Sequence, residues 1–325
     1  MLKVLEICAG AGGMALGLEN AGFLAVGLVE IDRDACTTLR TNRPGWPVLE
    51  CDIRQFDPSP YQGVDLFAGG VPCPPFSVAG SQLGAADDRD LFPSALDMIE
   101  QIRPKSIFLE NVPGFASSRF RSYRRNLATR LNSLGYWVDW RVLNASDYGV
   151  PQLRPRFILV ALQERLDRFF AWPIQTPAEQ TVGECLVDLM SQGGWPGARA
   201  WARRANGIAP TLVGGSKKHG GADLGPTRAR AAWSKLGVNG LSLLDEPPGP
   251  DFPVTTAPRL TVRMTARIQG FPDSWQLAGK KTSSYRQIGN ALPPPVAEAV
   301  GLSLASALME RVPERRAGQQ LTLRA

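Results

Sequence analysis

The first half of the chain alternates short apolar runs, rich in β-branched residues and leucine, with longer amphipathic or polar stretches. That rhythm predicts strands alternating with helices. Strands are expected at 2–8, 24–31, 47–50, 64–68, 106–110, 137–143 and 156–162. Helices are expected at 13–22, 33–42, 90–102 and 119–134, each opening after a glycine or polar residue and closing near Gly22, Asn42, Arg103-Pro104 or Gly135. The implied architecture is α/β: a doubly wound, mostly parallel sheet with helices on both faces. Ligands of such sheets bind at the carboxyl ends of the strands, where the loops gather.

After about residue 170 glycine and proline become frequent and the strands shorten, which suggests a second, smaller, loop-rich domain. The proline-rich stretch from Glu246 to Pro258 reads as a connector. Periodicity returns from Arg259, and Pro295 through Met309 forms a helical pattern rich in Ala, Val and Leu. The expected organisation is a main domain over 1–170, the loop-rich domain over 171–262 and a segment over 263–325 that rejoins the first. No internal repeat is visible, and the polar tail from Arg311 to Ala325 is expected to fray.

With 325 residues and 44% hydrophobic content the chain can bury a sizeable core. It enters a strand pattern at once, and no run approaches the roughly 18 apolar residues of a membrane span, so a cytoplasmic protein without a membrane partner is expected. Cys8, Cys36, Cys51, Cys73 and Cys185 are odd in number and never form a Cys-x-x-Cys pair, which argues for a reducing compartment and against a metal site. A Cys-His hydrolase would have to be built on His219, the single histidine, in a stretch with no other mark of a catalytic base. The formal charge is +6, yet between 191 and 240 Arg199, Arg203, Arg204, Lys217, Lys218, Arg228, Arg230 and Lys235 face only Asp223, so the rest of the chain is near neutral. Such a concentrated positive field suits a polyanion, with Trp195, Trp201 and Trp233 adding flat apolar surface. A solvated basic face is the alternative.

Four groups of residues could carry chemistry. Pro72-Cys73-Pro74 puts a thiol on a stiff turn just past an apolar run, either as a held nucleophile or as a small buried hydrophobe. Ala9-Gly10-Ala11-Gly12-Gly13 follows the first strand, and Glu30 ends the second strand 20 residues after Gly10, where a carboxylate can take ribose hydroxyls. Asp52 ends the third strand similarly and could receive an adenine amino group; for both acids a solvated strand end is the alternative. Ala15 stands where the third glycine of Gly-x-Gly-x-x-Gly would be, so a nucleoside cofactor without a pyrophosphate fits better than a nicotinamide dinucleotide. Glu110 ends an apolar run before Asn111-Val112-Pro113-Gly114 and is either an acid of raised pKa or a structural carboxylate. Arg154 and Arg156, two apart at the start of a strand, are expected on one side of it, where guanidiniums can orient an anion or a carbonyl oxygen.

Read in order, Glu6-Ile7-Cys8-Ala9-Gly10-Ala11-Gly12-Gly13, Glu30-Ile31-Asp32, Asp52-Ile53, Gly70-Val71-Pro72-Cys73-Pro74-Pro75-Phe76-Ser77, Glu110-Asn111-Val112-Pro113-Gly114, Gln152-Leu153-Arg154-Pro155-Arg156, Arg267-Ile268-Gln269-Gly270-Phe271-Pro272 and Gln287-Ile288-Gly289-Asn290-Ala291-Leu292-Pro293 resemble the motifs of the DNA cytosine-5 methyltransferases of prokaryotic type. The resemblance covers nearly the whole chain. It implies the sheet of the S-adenosylmethionine-dependent methyltransferases, a catalytic and cofactor-binding domain over 1–170 and a target-recognition domain over 171–262. S-adenosylmethionine would be held by Gly10 and Gly12, by Glu30 at the ribose, by Asp52 at the adenine and by Asn290 near the methionine end. Cys8, Ala9, Gly13, Ile31, Ile53 and Pro72 would complete that site.

By the same resemblance Cys73 is the nucleophile that adds to cytosine C6, Glu110 acts at N3, and Arg156, supported by Arg154, sits by the base. The cytosine would be flipped from duplex DNA under a lid over Phe76 to Pro93, with Asp87-Asp88-Arg89-Asp90 keeping that loop solvated. Ser77, Arg203, Arg204, Thr211, Leu212, Lys217, Lys218 and Arg228 are the expected DNA contacts. Cys8 stands where the family usually has phenylalanine, and Pro74 replaces a common glutamine. The expected enzyme is a cytoplasmic, nucleoid-associated monomer of a restriction-modification system, acting apart from any cognate endonuclease, or an orphan of one. The competing readings are a tRNA cytosine-5 methyltransferase on the same scaffold and a catalytically idle DNA-binding relative.

Overall fold

The structure, a computed structural model, describes residues 1–72, 90–215 and 221–311. Cys73, Ser77, Lys217 and Lys218 lie outside the described residues, as do residues 76–89 of the expected lid and the tail from Val312.

Seven strands make one sheet: β1 (Leu2–Ile7), β2 (Phe23–Glu30), β3 (Val48–Glu50), β4 (Leu66–Gly70), β5 (Ser106–Asn111), β6 (Tyr136–Asn144) and β7 (Pro155–Gln163). Their order is β3-β2-β1-β4-β5-β7-β6. The first five are parallel, while β7 runs antiparallel to both β5 and β6. β5 is buried along its whole length, as a strand covered on both faces must be. The chain winds outward from β1 in one direction and from β4 in the other, so the topological switch point lies between these two strands. β4 starts two residues later than its apolar run suggested. Asp65 makes the turn into it, accepting the Lys3 N–H at 2.8 Å and the Lys105 ammonium at 2.7 Å.

Helices α1 (Gly13–Asn20), α2 (Arg33–Asn42), α3 (Phe92–Ile102) and α4 (Arg121–Ser133) connect the strands. Asp32 caps α2 by accepting from the N–H groups of Asp34 and Ala35, which fixes its start. Beyond the sheet come α5 (Val182–Ser191), α6 (Ala198–Arg204), α7 (Thr227–Lys235), α8 (Val262–Ile268), α9 (Lys281–Asn290) and α10 (Pro294–Leu308). The run 281–308 is long and apolar enough to cross a membrane, but 56% of its most apolar window is buried inside the protein. α10 packs along α1, and Val296, Val300 and Leu304 are fully covered there at about 1.5–3 kcal/mol each. α10 thus lies against the first helix of the sheet.

The three tryptophans of the basic segment are core, not surface. Trp195, Trp201 and Trp233 are at most 3% exposed and anchor an apolar cluster that runs from Val182 to Ile288 and reaches Ala11 and Leu16 of the first domain. Composition cannot separate a flat aromatic that meets a base from one that fills a small domain's core. The arginines around them, Arg199, Arg203, Arg204 and Arg228, are exposed.

A buried polar knot fastens the parts together. Arg154 precedes β7 instead of lying within it, so it does not follow the strand's alternation. Fully buried, it donates to the carbonyls of Leu212 at 2.7 Å, Gly289 at 2.6 Å and Ala291 at 2.9 Å. Gln152 accepts from the Leu212 N–H and donates to Gln269, which in turn donates to the Ala291 carbonyl. Gly289 has to be glycine, because a Cβ there would lie 2.3 Å from the Gly214 nitrogen. Leu212, expected at the DNA, is 0% exposed and serves this knot through its main chain. Arg154→Ala leaves three carbonyls unpaired in the interior and should cost about 3 kcal/mol. Urea unfolding should show the lower midpoint; an unshifted midpoint would remove the knot from the account of stability.

Candidate active site

The site grows from the end of β1. Cys8 has φ +54°, Gly10 +55° and Gly12 +81°, so the chain doubles back at once, and the Gly12 N–H closes the turn onto the Ala9 carbonyl at 3.0 Å. A Cβ on Gly12 would also strike Leu39 of α2 at 2.6 Å. The loop is held from below by Trp275, whose indole N–H donates to the Ala11 carbonyl at 3.1 Å. Trp46 tilts against Trp275 at 6.1 Å, and the Arg43 guanidinium covers both rings.

A cavity of about 450 Å³ opens above this loop at the switch point. Cys8, Ala9, Gly10, Gly13, Glu30, Ile31, Asp52, Ile53, Pro72 and Asn290, ten of the eleven residues expected at the cofactor, line it; Gly12 lies behind, packed toward Leu39 and Trp275. Glu30 accepts from the N–H groups of Gly10, Ile31 and Asp32 at 2.7, 2.8 and 2.7 Å, which ties the ends of β1 and β2 and holds its carboxylate at the wall. Asp52 is gripped by Arg54 through its main-chain and side-chain N–H groups, and those hydrogen bonds lower its pKa. Ile31 is 63% exposed at the rim while Ile53 is covered, an apolar pair suited to a flat ring.

Glu6 was not singled out as a site residue from the sequence, and it is the most unusual group in the wall. It is 1% exposed, and its Oε2 has no hydrogen-bond partner among the described residues. Burial, and then the nearby Glu30 charge, push its pKa well above the usual carboxylate value. Its alternation within β1 looked like an interruption of an apolar strand, a signal that could have flagged it. The cavity wall therefore carries a buried acid, Glu6, together with the carboxylates of Glu30 and Asp52.

Glu110 closes the cavity on the side of β5. Its Oε1 meets Arg156 Nε at 2.9 Å, with both side chains about nine-tenths buried. Burial raises the Glu110 pKa, and the arginines oppose this without cancelling it. A carboxyl raised in this way gives up its proton less readily than a solvated one and can donate a hydrogen bond or a proton to a group held against it. Arg154 contributes only its field here, since its hydrogen bonds go to the knot.

Asn111 was missed as well. Its amide donates to the Val71 carbonyl at 2.8 Å, pinning the chain two residues before Cys73 beside Glu110. The Leu91 N–H donates to the Pro72 carbonyl at 3.3 Å, so the chain returns to α3 where it left β4. Phe92 and Pro93 belong to the first turn of α3 rather than to a lid: Phe92 is buried and stacks on Phe115 at 5.2 Å. Asp90 does not keep a loop solvated either. It is 8% exposed, accepting the Tyr123 hydroxyl at 2.6 Å and the Phe92 N–H at 3.1 Å. Of the expected DNA contacts, Thr211 is half-buried and donates its hydroxyl to the Leu153 carbonyl at 2.5 Å.

A doubly wound sheet with a cavity of about 450 Å³ at its switch point and a buried acid–guanidinium pair beside it is the setting of a methyltransferase, an enzyme that draws on a methyl donor. The chain belongs to the C-5 cytosine-specific DNA methylase family, whose model matches residues 2–306, and it is a DNA (cytosine-5-)-methyltransferase. It is 55% identical to the type II methyltransferase M.NaeI of Lentzea aerocolonigenes, over 94% of this chain and 75% of that protein. It is 53% identical to M.NgoMIV of Neisseria gonorrhoeae, over 94% of this chain and 97% of that one. A crystal structure of a putative DNA modification methyltransferase from an Escherichia coli prophage has the same fold, with TM-score 0.65 at 22% identity over 95% of this chain and all of that one.

Because the folded state holds Glu6 protonated above its ordinary pKa, that group contributes stability fully present below about pH 4.5 and lost as pH rises through the raised value. Glu6→Gln keeps the shape and removes the titration. Its melting temperature should exceed the wild-type value by a margin that grows from pH 5 to pH 8; a margin independent of pH would refute the assignment.

Proposed function

We propose that the enzyme transfers the methyl group of S-adenosylmethionine to C5 of a cytosine flipped out of a specific duplex DNA sequence, as the modification member of a type II restriction-modification system. The observation that carries this reading is the buried Glu110–Arg156 pair at the wall of the nucleoside cavity, next to the strand exit that leads to Cys73. Type II relatives above 50% identity support the biological setting.

S-adenosylmethionine, when bound, supplies an electrophilic methyl group. The residues present fit it: Glu30 would take ribose hydroxyls, Asp52 the adenine amino group, Ile31 and Ile53 the ring, with Asn290 and the unpartnered Oε2 of Glu6 left for the methionine end. Cys8 leaves the ring without the family's phenylalanine, and the exposed Ile31 supplies apolar surface in its place.

Cytosine C5 is too weak a nucleophile to accept a methyl group unaided. The Cys73 thiolate adds to C6, and the electrons displaced from the C5–C6 bond pass toward N3, where the Glu110 carboxyl provides a proton. Arg156 orients Glu110 and sets positive charge beside the base. C5 then takes the methyl group, whose bonding pair stays with the sulfonium sulfur as it leaves as a neutral thioether; a base removes the C5 proton, the C6–S bond breaks, and N3 returns its proton to Glu110, releasing 5-methylcytosine and the thiolate. Residues 171–262 act in target recognition, with Arg203, Arg204, Arg228, Lys217 and Lys218 offered to phosphates and Thr211 and Ser77 near the base. The enzyme acts on cytoplasmic DNA as a monomer.

Cys73→Ala should abolish turnover and leave DNA affinity within a few-fold, since the thiol contributes reaction chemistry and little ground-state binding. Glu110→Gln should lower kcat by about 10²–10⁴. Tritiated methyl transfer to duplex DNA and to tRNA measures both: normal turnover in either variant would overturn the mechanism, and label in tRNA alone the substrate.

A further inference from the structure

A second cavity, of about 510 Å³, lies between α4 and the outer strands β6 and β7, and no step of the reaction uses it. Its floor is Trp140, stacked on Phe157 with centroids 5.1 Å apart, flanked by Val138 and Leu159. Its wall is the face of α4 that carries Arg121, Arg124 and Arg125, and no carboxylate lines it. Arg124 is occupied structurally: it lies over the Trp140 ring at 4.9 Å and donates to the carbonyls of Phe115 and Ser117. Burial, and secondarily the adjacent Arg121 charge, lower its pKa. Arg121 and Arg125 are exposed, neither has an ion-pair partner among the described residues, and their spacing of four makes them neighbours on one helix face. Trp140 itself remains 39% exposed, an unusual state for a large ring inside a groove.

The location gives this groove a partner. α4 follows the loop that leaves β5, so its first turn lies at the same end of the sheet as Glu110. Along β7, Arg156 turns to Glu110 while the next residue, Phe157, turns to the groove, because successive strand residues face opposite sides. The catalytic cleft and the groove therefore lie on opposite faces of the sheet, both toward its carboxyl end, with the edge strand β6 between the groove and solvent. Both free arginines match phosphate, and the exposed indole matches the apolar edge of a sugar.

We propose that this groove is a second DNA contact, gripping the duplex backbone through Arg121 and Arg125 where the duplex runs past the β6 edge of the sheet, with the exposed edge of Trp140 against a deoxyribose. It rests on the reading of duplex DNA as substrate. Contacts of this kind position the duplex without reading its sequence. The test is the salt dependence of binding to a duplex of about thirty base pairs centred on the methylated site, long enough to span both surfaces. Arg121→Gln/Arg125→Gln changes only exposed side chains, so the fold is retained. Its slope of log K against log salt should be shallower by about 1.8, or 0.9 per lost phosphate contact, with kcat at saturating DNA unchanged. Trp140→Leu should weaken binding without altering the slope. An unchanged slope and affinity in the arginine variant would overturn the proposal. Methyl transfer to the same duplex by the unaltered enzyme separates that result from any failure of the DNA reading itself.

Discussion

Three charged side chains, Glu110, Arg154 and Arg156, are shut away from water at one end of the sheet, and everything near the reacting centre answers to that constraint. Two guanidiniums face one carboxylate, so the group carries a positive charge that the ion pair at 2.9 Å does not neutralise. Main-chain carbonyls absorb the excess: Pro155 accepts from Arg156, and Leu212, Gly289 and Ala291 accept from Arg154. A charge solvated by fixed dipoles keeps its field, because the dipoles cannot reorganise as water would. A neighbouring group that gains negative charge in a reaction meets that field already in place.

The same arrangement explains why the two arginines divide their labour. Arg156 lies inside a strand and reaches across to β5, whereas Arg154 lies one residue before it and turns into the seam between the domains. One holds the acid, and the other holds the walls. The segments around Leu212 and Gly289 are therefore bonded to the sheet through a cation that a single truncation removes, and the apolar cluster from Val182 to Ile288, which runs on into Ala11 and Leu16, reinforces the seam.

What the sequence revealed follows from the range of each interaction. The strands, α2 and the turn through Gly10 and Gly12 are local matters of apolar alternation, capping and permitted φ, and they stand within a residue or two of expectation. Glu30 and Glu110 were legible because each ends an apolar run at the sheet's carboxyl edge. The partners of Arg154 lie 58, 135 and 137 residues away, and nothing in its neighbourhood announces them. Trp201 and Trp233 sit among arginines in the sequence, yet both fill a core, because the arginines extend outward from the same helices. Asp90 follows a run of acids and aspires to solvent by composition, but a tyrosine from α4 claims it.

The cofactor loop near the beginning of the chain rests on residues near its end. Trp275 holds the Ala11 carbonyl, Gly13 packs against the Leu292 carbonyl so closely that a Cβ would lie 2.2 Å from it, and α10 runs along α1. During synthesis the first strand and its glycine turn emerge long before those supports exist. A chain interrupted before α10 thus carries Glu30, Glu110 and Arg156 without the floor beneath its glycine turn.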